Sequence, residues 1–216
     1  MNLKGGRPEK FGTIAAFFYR LWAEPALSAL HARIAAEVPV DEGRLLDVGC
    51  GPGRLTRAIA ERRPLLLVTG LDLSPDMIRQ ARRAPRVANL LFRQGSPASF
   101  GVENEFDFAL SVLSFHHWEE PAEDLAGVHR ALKKGGRFWI YEQNPEASDA
   151  EIRADFAPLA GFLRMPAFLH RLTARGHGFT RREIETTVAP LAAKSPFGGL
   201  PHVERSGSTF RLELRK

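Results

Sequence analysis

A single cysteine, Cys50, stands in the 216 residues, so no internal disulfide can form. No apolar run approaches the roughly 20 residues of a membrane span. Residues 1–10 are polar and carry no signal-type apolar stretch, so a cytoplasmic location is the expectation. Internal repeats and low-complexity tracts are absent. Charge of one sign is in only modest excess: 30 basic against 25 acidic residues, net +5. The excess is scattered as Arg62-Arg63, Arg82-Arg83, Lys133-Lys134 and Arg181-Arg182. Several of these pairs fall near predicted helix C-termini, where cations favour the dipole. They read as a solvated basic surface, with nucleic acid or anionic lipid as the alternatives. Aromatics are not interleaved with them as in a single-strand-binding surface. At 44% apolar and 25% charged residues, the chain has room for one α/β domain with appendages.

The stretch Leu45 to Gly53 reads Leu-Leu-Asp-Val-Gly-Cys-Gly-Pro-Gly. An apolar strand runs into a glycine turn, and a helical pattern follows from Arg54 to Arg62. Strand, turn and helix N-terminus together make a nucleotide-type site. The dinucleotide fingerprint requires G-x-G-x-x-G, but Arg54 stands where the third glycine would fall. The Lys-Ser/Thr of a phosphate-cradling P-loop is missing too. Asp47, just before the turn, would repel a pyrophosphate and suits a ligand that presents a cation or hydroxyls. The loop therefore points to a nucleoside-like ligand without phosphate. Cys50 reads as a small residue at a tight turn rather than a nucleophile, since no base is placed beside it.

Further along, strands and helices alternate. Residues 13–38 are helical in pattern, broken near Pro25. Leu45 to Val48 and Leu65 to Leu71 are strands, and Ser74 caps a helix with Pro75 in its first turn. Asn89 to Arg93 and Glu105 to Val112 follow as strands. Pro121 to Leu132 is a helix closed by Lys133-Lys134-Gly135-Gly136, and Arg137 to Tyr141 is a fifth strand. This alternation predicts a doubly wound, Rossmann-like α/β fold with a mostly parallel sheet, its ligand at the C-terminal strand edge. Beyond Glu142 the pattern turns to helix and loop. Thr180 with Glu183 has capping-box spacing, and residues 192–200 and 208–214 read as two terminal strands.

The glycine loop, with the segments that follow it from Arg44 to Glu142, resembles the class I S-adenosylmethionine-dependent methyltransferases of small-molecule, UbiE-like type. The resemblance implies a seven-stranded sheet closed by an antiparallel C-terminal strand. It implies a helical N-terminal cap over residues 1–43, a cofactor-binding domain over 44–216, and a substrate-side insertion at about 144–178. It implies S-adenosyl-L-methionine as cofactor, with S-adenosyl-L-homocysteine as product, and a small-molecule methyl acceptor whose attacking atom is O, C or N. The expected cofactor residues are Asp47, Gly49, Cys50, Gly51 and Gly53 in the loop, then Asp72, Leu73 and Met77. Gly95 and Ser96 follow the third strand, and Ser111, Val112 and Leu113 end the fourth.

Asp72 ends the second strand beside the loop, where a carboxylate can accept from both ribose hydroxyls; a helix-capping aspartate is the structural alternative. Met77 suits either the adenine face or the core. Ser96 stands where related enzymes often carry an aspartate for the adenine amino group. Asp107 reads as structural. His116 and His117 lie past the fourth strand as a candidate general base or substrate contact. Adjacent histidines diverge, and no cysteine or acid completes a ligand set, so no metal is expected. Glu142 could reach substrate. Phe11, Phe18 and Tyr19 are candidate lid residues. The basic amphipathic stretch 162–175 suits an edge helix, a substrate roof or a peripheral membrane contact. Two further readings stand beside the first, an RNA or protein methyltransferase and a non-catalytic binding or scaffold protein; against the former, no Asn/Asp-Pro-Pro-Tyr/Phe segment follows the fourth strand. A monomer and a homodimer both fit.

Overall fold

A computed structural model describes residues 26–156, 171 and 174–216. The candidate lid residues Phe11, Phe18 and Tyr19, and residues 162–170 and 172–173 of the basic stretch, lie outside that range. The described elements begin with α1 (Ser28–Glu37), β1 (Glu42–Val48), α2 (Arg54–Arg62), β2 (Leu65–Asp72), α3 (Pro75–Arg83) and β3 (Leu90–Gln94). They continue with β4 (Phe106–Val112), a 3-10 turn (Phe115–His117), α4 (Pro121–Ala131), β5 (Leu132–Gln143) and α5 (Asp149–Asp155). A helical run follows, Arg181–Glu183, π-helical Ile184–Val188 and Ala189–Lys194, before β6 (His202–Ser206) and β7 (Thr209–Arg215).

The seven strands form one sheet in the order β3-β2-β1-β4-β5-β7-β6. The pairs joining β3, β2, β1, β4 and β5 are all parallel, and β7 runs antiparallel to both β5 and β6. Every parallel strand therefore ends at the same edge, with the chain order reversing between β1 and β4. Central strands covered on both faces must be apolar on both faces. Leu45 and Leu46 show this, the first packing with Ile34, Ile59 and Tyr141, the second with Val128, Phe138 and Phe210. Helices α1, α2 and α5 cover one face; α4 and the helical run 181–194 cover the other. β7 alternates as its sequence predicts: Phe210, Leu212 and Leu214 enter the core, while the Arg211 guanidinium lies 3.9 Å from the Trp139 ring centre on the opposite face.

Two sequence expectations are corrected. Residues 192–200 are not a strand. The helix runs on to Lys194, Ser195 Oγ donates to the Ala192 carbonyl at 2.6 Å to close it, and the terminal hairpin starts only at His202. Apolar residues such as Leu191 and Phe197 pack on the core from this helix and turn, so burial without alternation misled the reading. The stretch Lys133-Lys134-Gly135-Gly136 belongs to β5 rather than to a helix stop. There the β4–β5 register shifts between Phe106 and Phe108, and Gly135 and Gly136 exchange backbone hydrogen bonds with Lys216. Among the described residues no helix is long and apolar enough to cross a membrane.

One polar network ties the first helix to the last hairpin. Arg33 donates to both oxygens of Asp155 at 2.8 and 2.9 Å and to the Ser206 carbonyl at 3.0 Å. Asp155 also accepts from Ser208 N at 2.7 Å and Ser208 Oγ at 2.8 Å. Burial alone would raise the carboxyl pKa, but these donors hold it below its ordinary value. Arg33→Ala leaves that buried carboxylate without its cation, and should lower unfolding free energy by about 2–4 kcal/mol in urea denaturation.

Candidate functional site

The site is assembled at the C-terminal strand edge. β1 ends in the turn Gly49-Cys50-Gly51-Pro52-Gly53, whose three glycines have φ of +74°, +54° and +81°. At Gly49 the requirement is also steric, because a Cβ there would fall 1.8 Å from Ser114 Oγ. Both Gly49 N and Cys50 N donate to the Leu71 carbonyl, at 2.7 and 3.1 Å, which fastens the turn to β2. Beside Gly51 the space is open, with no atom within 4 Å of a built Cβ. α2 then starts after Gly53 without a side-chain cap, so its first N–H groups face the loop region uncapped.

Asp72 is bound into this frame. Its Oδ2 accepts from Gly51 N and its Oδ1 from Ser74 N, both at 2.8 Å. The capping and ligand-binding alternatives therefore coexist, because a carboxylate has about four acceptor positions. Burial raises its pKa, partly offset by those backbone donors. Asp47 is 2% exposed and accepts from Thr56 Oγ1 at 2.6 Å. Burial, against the Thr56 hydrogen bond and with help from Asp72, pushes its pKa up to about 7. Two carboxylates, buried Asp47 and half-buried Asp72, thus stand beside the glycine turn, and among the described residues no cation is bonded to either.

A small cavity opens here, lined by Asp47, the residues from Gly49 to Pro52, Val112 and Leu113, and by His31, Arg54 and Leu55. Leu113 has φ +51°, uncommon for a side chain of this size, and its N–H donates to the Tyr141 carbonyl at 2.9 Å. That bend turns Ser114 back against Gly49. Ser111 lies one step inside β4, fully buried, and its Oγ has no partner. His31 and Arg54 were not marked as site residues by the sequence reading. His31 arrives from α1, outside any motif; burial, then the Arg54 charge, lowers its pKa to about 4.

The other expected residues divide. Cys50 turns inward to pack with Ile78, Ala81 and Phe92, and burial beside Asp47 and Asp72 pushes its thiol pKa up. A thiolate is therefore disfavoured, as a packing role requires. Met77 is buried, whereas Leu73 is 64% exposed beside Asp72. Gly95 N donates to the Asp72 carbonyl at 3.0 Å, keeping the β3 exit close to β2. The Ser96 hydroxyl lies 3.1 Å from Ser99 Oγ in a local turn. Asp107 is structural: it accepts from Lys133 Nζ and from Arg44 N. Arg171, the described basic residue of the 162–175 stretch with a resolved partner, donates to the Ala147 carbonyl and pairs with Asp149.

One strand further along the same edge, His116 and His117 sit on the 3-10 turn with ring centres 4.0 Å apart. His116 is buried, and Glu142 at the end of β5 uses both oxygens on it: Oε1 accepts from His116 N at 3.1 Å and Oε2 faces Nδ1 at 2.7 Å. Glu142, 1% exposed, positions a histidine rather than reaching for substrate. His117 keeps one side of its ring open to solvent at the edge; desolvation of the other side, then the nearby His116 and His177, lowers its pKa to about 4. His177 is a third ring that sequence reasoning missed, being far away in the chain.

The family model matching residues 46–140 is described as "Methyltransferase domain". Over those residues the chain is similar to this methyltransferase family. It is 34% identical over 155 residues to trans-aconitate 2-methyltransferase of Methylobacterium nodulans, covering 69% of this chain and 56% of that protein. It is also 34% identical over 117 residues to fatty-acid O-methyltransferase of Mycolicibacterium smegmatis, covering 54% and 43%. The methyltransferase chain thus spans about half the length of these curated relatives. A solved structure of Methanococcus maripaludis described as that of a "putative s-adenosyl-l-methionine-dependent methyltransferase" superposes with TM-score 0.73 at 21% identity, covering 98% of this chain and 96% of that one. The fold is that of S-adenosylmethionine-dependent methyltransferases.

Asp47 makes a testable link between this site and stability. Its pKa stands at about 7 in the folded protein against an ordinary 3.8, so ionising it costs folding free energy. That cost is absent below the ordinary value, grows as pH rises from about 4 to 7, and is complete above 7. Asp47→Asn should therefore raise unfolding free energy by about 1–3 kcal/mol at pH 8 and by little at pH 4, in paired urea titrations.

Proposed function

We propose that this methyltransferase domain binds S-adenosyl-L-methionine in the glycine-loop cavity and transfers its methyl group to an oxygen of a small-molecule acceptor. The observation that carries the reading is the pairing of an open space beside Gly51 with two carboxylates, buried Asp47 and half-buried Asp72, neither of which pairs with a cation among the described residues. A phosphate would meet repulsion there; a ligand with a cation and a diol would meet acceptors. In this assignment Asp72 keeps its two backbone donors and offers its remaining lone pairs to the ribose hydroxyls. Asp47 faces the ammonium or sulfonium. Arg54, His31 and the uncapped start of α2 suit the carboxylate. Val112 and Leu113 supply apolar wall, and exposed Leu73 supplies an apolar surface next to Asp72.

The bound cofactor supplies an electrophilic methyl on a sulfonium centre. The chain's own residues then hold the acceptor in line and manage its proton. His116 is the oriented group: with Glu142 accepting from Nδ1–H, its Nε2 carries the free lone pair that a general base needs. The relatives named for trans-aconitate and for fatty acids support a small organic acceptor, and the second, an O-methyltransferase by name, supports an oxygen nucleophile.

Calorimetry with S-adenosylmethionine tests the cofactor assignment. Binding should be saturable and weaken at least tenfold in Asp72→Ala; a folded protein that does not bind overturns the reading. Because a bound cation favours the Asp47 carboxylate, binding should release a proton below pH 7. Affinity should rise as pH climbs toward 7 and level off above it. His116→Ala should lower turnover of a hydroxyl acceptor on the order of 100-fold with cofactor affinity kept. Labelled methyl groups should enter a small-molecule extract; entry into total RNA instead favours the nucleic-acid reading.

A further inference from the structure

We propose that His116, His117 and His177 form a three-histidine site for a divalent transition metal of the zinc class, at the acceptor end of the cleft. One ring nitrogen from each lies within 4.8 Å of the other two. The ring centres are 4.0 Å apart for His116 and His117, 5.4 Å for His116 and His177, and 5.9 Å for His117 and His177. Zinc needs nitrogens at about 2.0–2.1 Å from the ion. His117 and His177 are exposed, and their rings would have to turn inward to bring the nitrogens to that distance.

Three features indicate a built arrangement rather than three histidines that happen to meet. The first is orientation. Glu142 Oε2 sits 2.7 Å from His116 Nδ1, which fixes the tautomer and presents Nε2 as an acceptor. A carboxylate behind a ligating imidazole is the common outer-shell partner of a metal-bound histidine, and it adds negative charge near the ion. The second is the placement of His177. Phe179 N donates to the Gln143 carbonyl at 3.0 Å, and a Cβ on Gly178 would lie 2.1 Å from that same oxygen. Only glycine permits so close an approach, so the third ring is fastened to the end of the strand that carries Glu142. The third is the floor beneath the cluster. Phe115 packs on Trp118 and on Phe179, with ring centres 4.9 and 6.5 Å apart, which locks the 3-10 turn to the His177 segment.

Adjacent histidines usually diverge, which argues against shared ligation. Here the 3-10 turn keeps both rings on one side. Three protein ligands leave one position of a tetrahedral ion for water or for an acceptor oxygen. An ion there lowers the pKa of that oxygen, so activation passes from His116 as base to the metal. Only this last step rests on the methyltransferase reading; the metal site itself does not.

Tag-free, chelator-stripped, full-length protein should be titrated with Zn2+ by calorimetry and with Co2+ by visible absorption. The expected result is about one equivalent bound at micromolar affinity or tighter, with a four-coordinate Co2+ spectrum. His177→Ala, an exposed side chain, should weaken binding at least tenfold, and Glu142→Gln by roughly 10–100-fold. Absence of saturable binding, or unchanged affinity in His177→Ala, overturns the proposal. Calorimetry with S-adenosylmethionine on the same preparation separates the two readings. Cofactor bound without metal overturns the metal site alone, and metal bound without cofactor overturns the cofactor assignment alone.

Discussion

The site depends on one carboxylate that holds two of its backbone segments at once. Asp72 ends β2 and reaches back to Gly51 N and forward to Ser74 N, each at 2.8 Å. The first bond holds the glycine turn of β1, and the second starts α3. Because β1 and β2 are in register from Glu42 and Leu65 onward, a slip between them would break the contact to Gly51, while the local one to Ser74 would persist. The turn's position in turn sets where α2 begins, where Asp47 is buried, and where the open space beside Gly51 lies. An alanine at residue 72 would therefore affect the loop as well as a ligand. A test of ligand binding in that variant needs a fold check beside it.

The strand edge carries two electrostatic environments side by side. Above β1 and β2 stand Asp47 and Asp72, both with raised pKa from burial. Above β4 and β5 stand the histidines, with Glu142 behind them as the buried counter-charge. The switch point of the sheet, between β1 and β4, separates them. Parallel strands with adjacent C-terminal ends bring the two environments to one sheet edge. Leu113, bent to φ +51° just past the end of β4, stands between them and lines the glycine-loop cavity. Strain at such a position is held by its neighbours, here the Tyr141 carbonyl and the Ser114–Gly49 contact.

The elements that local chemistry dictates were legible in the sequence. Helix α2, the Ser74 cap with Pro75, the capping box at Thr180 and the β7 alternation all occur where side-chain pattern and backbone need coincide. The glycine turn was legible because positive φ demands its residues. What was hidden depends on tertiary placement. Residues 192–200 carry apolar side chains without a period, and only packing on Phe138 and its neighbours decides that they end a helix. Lys133 to Gly136 reads as a helix stop, yet the sheet recruits it through Lys216. His31 and His177 lie in no motif and enter the site by topology. Glu142 was visible as an acid at a strand end, but its role as the partner of His116 needed the fold.

Buried polar groups at this edge run against stability, and that is an argument for their use. Asp47 at about pKa 7 costs folding free energy at neutral pH; Thr56 gives it one hydrogen bond, and among the described residues no cation pairs with it. An uncharged asparagine would keep the Thr56 bond and remove the cost. A charged ligand reverses the balance: it supplies the missing partner, so the group that weakens the empty protein strengthens the bound one. Glu142 is buried as well, and its two oxygens face His116 N and Nδ1, so its hydrogen bonds are spent on orienting that ring. Each end of the strand edge thus carries a buried acid, Asp47 at one and Glu142 at the other, held by a partner from its own surroundings.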